Sequence, residues 1–165
     1  MSVHYIDRKE EVLLKLIGGK LAQNNLWIGT AESCTGGRLA GMFASIPEAS
    51  DHFTGGIVSY SEDVKKKLLG VSAQDIEQYG VVSRPVAEQM ASGVARMLEC
   101  SCALATTGFA GPDGGSPGAP VGTVWIAALV NGEMQAERHL FHGDRQRITA
   151  QSSFRALQMF LRMLD

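Results

Sequence analysis

The sequence predicts an α/β protein: a three-layer α/β/α sandwich around a mixed, mostly parallel sheet. Three observations carry this. Helical stretches alternate with short apolar runs as far as Thr106, the pattern of helices covering both faces of parallel strands. One tight-turn signal, Asn131-Gly132, comes late and joins two further strands as a hairpin. No repeat or linker interrupts the chain, and 165 residues suit a single domain, 1–165.

Leu13, Leu16, Ile17 and Leu21 recur at helical spacing, and Asn24-Asn25 stops that helix. Leu26 to Ala31 reads as a buried strand. It leads into Glu32-Ser33-Cys34-Thr35-Gly36-Gly37, after which Leu39, Met42, Phe43 and Ile46 mark a second helix closed by Pro47. Gly56 to Tyr60 reads as a strand. Ser61 caps a helix from Glu62 to Leu69 that ends at Gly70. Ser72 and Asp75 resemble a capping box for a short helix stopping at Gly80. Ser83 caps a longer one with Pro85 in its first turn. Cys102 to Thr106 is an apolar strand. Thr107 to Pro120 holds five glycines and three prolines and is expected to be a loop. Thr123 to Val130 and the alternating Met134, Ala136, Arg138 and Leu140 form the hairpin arms. Gly143-Asp144-Arg145 opens a last helix carrying Ala150, Phe154, Leu157, Leu161 and Leu164.

Composition narrows the function. A formal net charge of -2 supplies no bulk attraction for nucleic acid or an anionic membrane, so an anionic ligand has to be held by local groups. Cys34, Cys100 and Cys102 form no C-x-x-C pair, which argues against a disulfide framework or a zinc ribbon. The start, Met1 to Glu11, is polar, and no apolar run approaches the roughly 18 residues that span a bilayer. A cytoplasmic location is expected.

In an open α/β sheet, ligands bind beyond the carboxyl ends of the strands. Three unusual segments follow predicted strand ends: Ser33–Gly37, Tyr60–Lys65 and Thr107–Gly115. Free amides at a helix start can hold an anion or a developing oxyanion. Ser33 supplies a hydroxyl in such a turn, although Ala31 and Thr35 depart from the G-x-S-x-G elbow. Cys34 is an alternative nucleophile. Among the histidines, His4, His52, His139 and His142, none is an evident base. Lys65, about one turn into the helix after Tyr60, is the better one, provided its pKa falls well below the ordinary value of about 10.4.

The segments together resemble the CinA carboxy-terminal domain, or nicotinamide-nucleotide amidase, family. The matching stretches are AESCTGG (31–37), YSEDVKKKLLGV (60–71), GVVS (80–83), TGFAGPDGG (107–115), PVGTVW (120–125) and GDR (143–145). The resemblance implies hydrolysis of the carboxamide of nicotinamide mononucleotide to nicotinic acid mononucleotide and ammonia. It implies a metal-free and cofactor-free serine mechanism in which Lys65 and Tyr60 assist Ser33. Glu32, Thr35, Gly36, Gly37, Thr107, Gly108, Gly111 and Arg145 are the candidate substrate-binding residues. The expected partners are a small-molecule nucleotide and further copies of the chain in a homo-oligomer, with neither nucleic acid nor membrane. Some family members carry an additional N-terminal domain, and this chain resembles the stand-alone form. Two departures stand out: Glu62 replaces the family's usual asparagine, and Thr149 replaces a second arginine. An inactive nucleotide-binding paralogue is the alternative reading.

Overall fold

The computed structural model describes residues 6–165. His4 and the first residues of the polar start lie outside the described residues. Six helices and five strands follow one another in the order α1 (Arg8–Gln23), β1 (Ile28–Glu32), α2 (Arg38–Ala44), β2 (Phe53–Val58), α3 (Glu62–Leu69), α4 (Ala73–Tyr79), α5 (Arg84–Met97), β3 (Cys102–Gly108), β4 (Thr123–Val130), β5 (Glu133–Leu140) and α6 (Arg145–Met163). A short 3-10 turn, Ala49–Asp51, precedes β2.

The strands make one sheet in the order β2-β1-β3-β4-β5. β1 pairs in parallel with β2 and with β3, whereas β3–β4 and β4–β5 are antiparallel. Four of the five strands thus point the same way, with β4 alone reversed. One face of the sheet is covered by α1, α2 and α6 around Leu14, Phe43, Leu104, Ile126 and Phe160. The other is covered by α3, α4 and α5 around Leu69, Val86, Met90 and Val94. Buried on both faces, β1 and β3 need no alternation, and every residue of β1 is buried.

Local chemistry explains most boundaries. Asp7 and Glu10 close a reciprocal capping box at α1. Glu10 also takes Arg38 Nη2 at 2.7 Å, which ties the start of α2 to α1. Ser61 accepts from Val64 N, and Gly70 ends α3 in the left-handed region, as expected. Asn131 and Gly132 both have positive φ, the conformation a two-residue hairpin turn requires.

Several expectations need correction. Ser83 does not cap α5; its hydroxyl donates to Gly80 O at 2.8 Å. At α4 only half of the capping box forms, because Gln89 bonds both Ser72 N and Asp75 Oδ2. β1 runs from Ile28 to Glu32 rather than Leu26 to Ala31, since Leu26 N is still bonded to Leu21 O at the end of α1. β2 begins earlier and stops at Val58, which leaves Ser59 and Tyr60 beyond the strand end. β3 extends through Thr107 and Gly108, paired with Trp125 and Val124, so the glycine-rich loop starts at Phe109.

Candidate active site

The carboxyl ends of the parallel strands β2, β1 and β3 lie side by side, and the three segments singled out in the sequence leave from them. They enclose a cavity of about 390 Å³ lined by Ser33, Cys34, Tyr60, Glu62, Lys65, Thr107, Gly108, Gly111, Asp113 and Arg145, among others. A larger cavity of about 690 Å³ surrounds Asp7, Glu10 and Arg38 on the α1 side, with no hydroxyl or thiol nucleophile among its lining residues.

Ser33 follows directly on β1. Its amide extends the ladder by donating to Thr106 O at 3.0 Å, and its carbonyl accepts Gly36 N at 3.0 Å, which closes a turn. Gly36 and Gly37 both adopt left-handed φ, 58° and 97°, a succession that side-chain-bearing residues rarely take. The turn therefore folds back sharply enough to start α2 at Arg38 while Ser33 faces the cavity.

Lys65 sits on α3 and is 1% exposed. Its Nζ lies 3.0 Å from Ser33 Oγ, 2.6 Å from Ser59 O and 3.3 Å from Tyr60 O. Burial pushes its pKa down to about 8, against the opposing influence of Cys34 and Glu62. Lys66 and Lys67 are not among the causes; Lys66 is half-buried and pairs with Asp63 at 3.0 Å. Glu62 lines the cavity and acts on Lys65 in the opposite sense.

The two carbonyls matter as much as the distance to serine. A neutral amine has two N–H groups and one lone pair. With both N–H groups donated to Ser59 O and Tyr60 O, the lone pair is left for the Ser33 hydroxyl proton. The protonated form satisfies the same three partners as donor. Either protonation state therefore fits without rearrangement.

Tyr60 is arranged differently from expectation. Its hydroxyl accepts from Arg145 Nη2 at the cavity mouth, and no hydrogen bond joins it to Ser33 or Lys65. Lys65 instead reaches Ser33 directly. Arg145 also donates Nη1 to Gly111 O at 2.6 Å, which links α6, the glycine-rich loop and Tyr60 across the opening. Thr107 turns its hydroxyl to Val81 O at 2.9 Å, and so fixes the Gly80–Ser83 segment as one wall. Thr149 lies one turn after Arg145 and is not a lining residue.

Glu32, Thr35, Gly36 and Gly37 are not among the lining residues. The Glu32 carboxylate, 1% exposed, is turned inward. It accepts from Leu39 N at 3.0 Å, Ala40 N at 2.8 Å, Gly37 N at 3.1 Å and Thr35 Oγ1 at 2.6 Å. Thr35 in turn shares a 2.7 Å hydrogen bond with Thr106 on β3. The Glu32 and Thr35 side chains thus hold the Ser33 turn rather than line the cavity. The sequence held a signal for this: a carboxylate five to eight residues before the amides of a new helix.

Cys34 is 7% exposed, and burial pushes its thiol up to about 12. A neutral, buried thiol is a poor nucleophile. Among the described residues, no group of three or more acidic, histidine or cysteine side chains is arranged for a metal, and no helix is long and apolar enough to cross a membrane.

A sequence model of the CinA C-terminal domain matches residues 10–164. The chain is 39% identical over 155 residues to a putative competence-damage inducible protein of Clostridium novyi, covering 94% of this chain and 37% of that protein. It is 40% identical over 152 residues to a CinA-like protein of Thermotoga neapolitana, covering 92% and 36%. The chain thus spans little more than a third of these relatives. Solved structures match over nearly their whole length. The competence/damage inducible protein CihA from Agrobacterium tumefaciens gives a TM-score of 0.92 at 36% identity, covering 99% of each chain. A CinA superfamily protein from Enterobacter cloacae gives 0.92 at 30%, covering 100% and 99%.

Proposed function

The chain belongs to the CinA C-terminal domain family, and from that premise we propose that it hydrolyses the carboxamide of nicotinamide mononucleotide, with Ser33 as nucleophile and Lys65 as its base. The observation that carries the reading is the 3.0 Å approach of a buried lysine to a serine at a strand end, with that lysine's pKa lowered to about 8. A general base works best when its pKa lies near the operating pH.

In the proposed reaction, neutral Lys65 takes the Ser33 proton as Oγ attacks the carboxamide carbon. The oxyanion needs donors that are not already committed. From Ser33 to Ala40, the amides of Ser33, Gly36, Gly37, Arg38, Leu39 and Ala40 have acceptors within the protein. The amides of Cys34 and Thr35 are left, and we assign the oxyanion to them. Protonated Lys65 gives its proton to the departing nitrogen, the C–N bond breaks, and ammonia leaves. Water, deprotonated by Lys65, then attacks the Ser33 ester and releases the acid. Arg145 and the amides around Gly108 and Gly111 hold the phosphate. Arg145 exchanges two neutral acceptors, Gly111 O and Tyr60 Oη, for a charged one.

Ammonia release on three substrates tests the reading. Turnover is expected with the mononucleotide and much less with the riboside or free nicotinamide, since charge-assisted hydrogen bonds contribute roughly 1.5–3 kcal/mol each. Equal kcat/KM on free nicotinamide would reject the nucleotide assignment. No ammonia from any of the three would reject the amidase.

A further inference from the structure

Beside the catalytic cavity lies a larger groove of about 670 Å³. Val81, Val82 and Phe109 line both spaces, so the two adjoin across a common wall. The remaining groups of the groove differ in kind from those around Ser33. Trp125 and Arg138 are direct partners across the β4–β5 ladder, so their side chains leave the sheet on the same face, next to each other. Tyr79, 53% exposed at the end of α4, and Arg84, the first residue of α5, line the same space. Two arginines and no acidic residue line the groove; Arg84 is paired with Glu88 at 2.8 Å, on the rim, which leaves Arg138 as the principal charge. Arg138 spends one donor on Gly118 O at 2.9 Å, and a guanidinium has five.

An aromatic face beside a guanidinium suits a flat neutral ring with an anionic group attached to it, and stacking on such faces accepts any nucleobase. A mononucleotide seated at Ser33 would leave this space empty. We propose that the groove is a second nucleotide subsite, which takes the base and phosphate of a nucleotide joined to the first through its phosphate. A pyridine dinucleotide amide then binds across both spaces. This rests on the amidase reading for the first half of the ligand. The chemistry is unchanged: water adds to the carboxamide carbon, the C–N bond breaks, ammonia leaves, and the phosphoanhydride stays intact.

Two measurements on the intact protein separate the subsite from the amidase. Calorimetric titration with adenosine monophosphate is expected to give saturable binding, weakened about tenfold or more by Arg138→Gln and by Tyr79→Ala. Tyr79 is exposed enough that its truncation leaves the fold intact. The dinucleotide is expected to compete with mononucleotide turnover and to bind more tightly than the mononucleotide. The same two substitutions should erase that advantage while leaving mononucleotide kcat/KM within about twofold. No binding of adenosine monophosphate, binding indifferent to both substitutions, or a dinucleotide that fails to compete would each overturn the subsite. Nucleotide binding dependent on Arg138 without any ammonia release would uphold the subsite and reject the amidase. Ammonia release from the mononucleotide without such binding would do the reverse.

Discussion

Ser33 and Cys34 are adjacent, yet their surroundings give them opposite chemistry. The hydroxyl meets an amine whose pKa is lowered, whereas the thiol is buried with its pKa raised to about 12. Ser33→Ala is therefore expected to abolish ammonia release, and Cys34→Ala to retain most of it. Loss in the cysteine variant alone, on a folded protein, would reverse the assignment. Glu32 gives a second expectation. Replacing it by Gln puts an amide N–H group among donors, so about 1.5–3 kcal/mol of stability should be lost, as for hydrogen bonds to charged groups. kcat should fall with KM little changed, because the turn that presents Ser33 and the two free amides loosens while the substrate contacts remain. A change confined to KM would mean that Glu32 touches substrate after all. That Ser33 and Lys65 meet is legible in the sequence, because both motifs follow strand ends. The inward turn of Glu32 is less plain: its spacing from the amides of the next helix is a sign of it, but a lone carboxylate in a glycine-rich segment reads equally well as a ligand group.

At the scale of elements, the proposed mechanism makes catalysis depend on how α3 is seated. A Cβ built on Gly93 of α5 would fall 2.1 Å from Leu69 O, so the carboxyl end of α3 rests directly on α5. Gly93→Ala is expected to push α3 outward, carry Lys65 away from Ser33 and lower both stability and kcat. Thermal unfolding and turnover measured on the same variant check this. A destabilised variant with wild-type kcat would show that Lys65 holds its position independently of α5. The helices of the sequence reading survive with small shifts because their caps are local: Ser61, Gly70 and Asp144 act within a few residues. Strand ends are less legible. β2 contains Gly55-Gly56, which masks its apolar pattern, and β3 gains Thr107 and Gly108 only by pairing with Trp125 and Val124, some 16 to 18 residues away. That pairing is a tertiary fact, which local composition does not encode.

For the molecule as a whole, a buried lysine carries a cost that depends on pH. Its folded pKa of about 8 lies below the ordinary 10.5. Below pH 8 both folded and unfolded chains hold the proton, and the full penalty of burying an ammonium is present. Between about 8 and 10.5 the unfolded chain binds more protons, so stability rises with pH, by up to about 3 kcal/mol for a shift of this size. Lys65→Met should remove that rise and be at least as stable as wild type near neutral pH, the sign expected where function costs stability. Denaturant unfolding at a series of pH values checks it; an identical rise in the variant would assign the titration elsewhere. The same pKa governs the most direct test of the account, ammonia release from nicotinamide mononucleotide as a function of pH in the wild type and in Lys65→Arg. A guanidinium keeps the positive charge but stays protonated, with a pKa above about 12. Wild-type kcat/KM is expected to rise through an apparent pKa near 8 to a plateau, and Lys65→Arg to lose roughly 10²–10⁴-fold at every pH. A folded Lys65→Arg protein that kept most of its activity, with the same pH profile, would contradict the claim that Lys65 is the base.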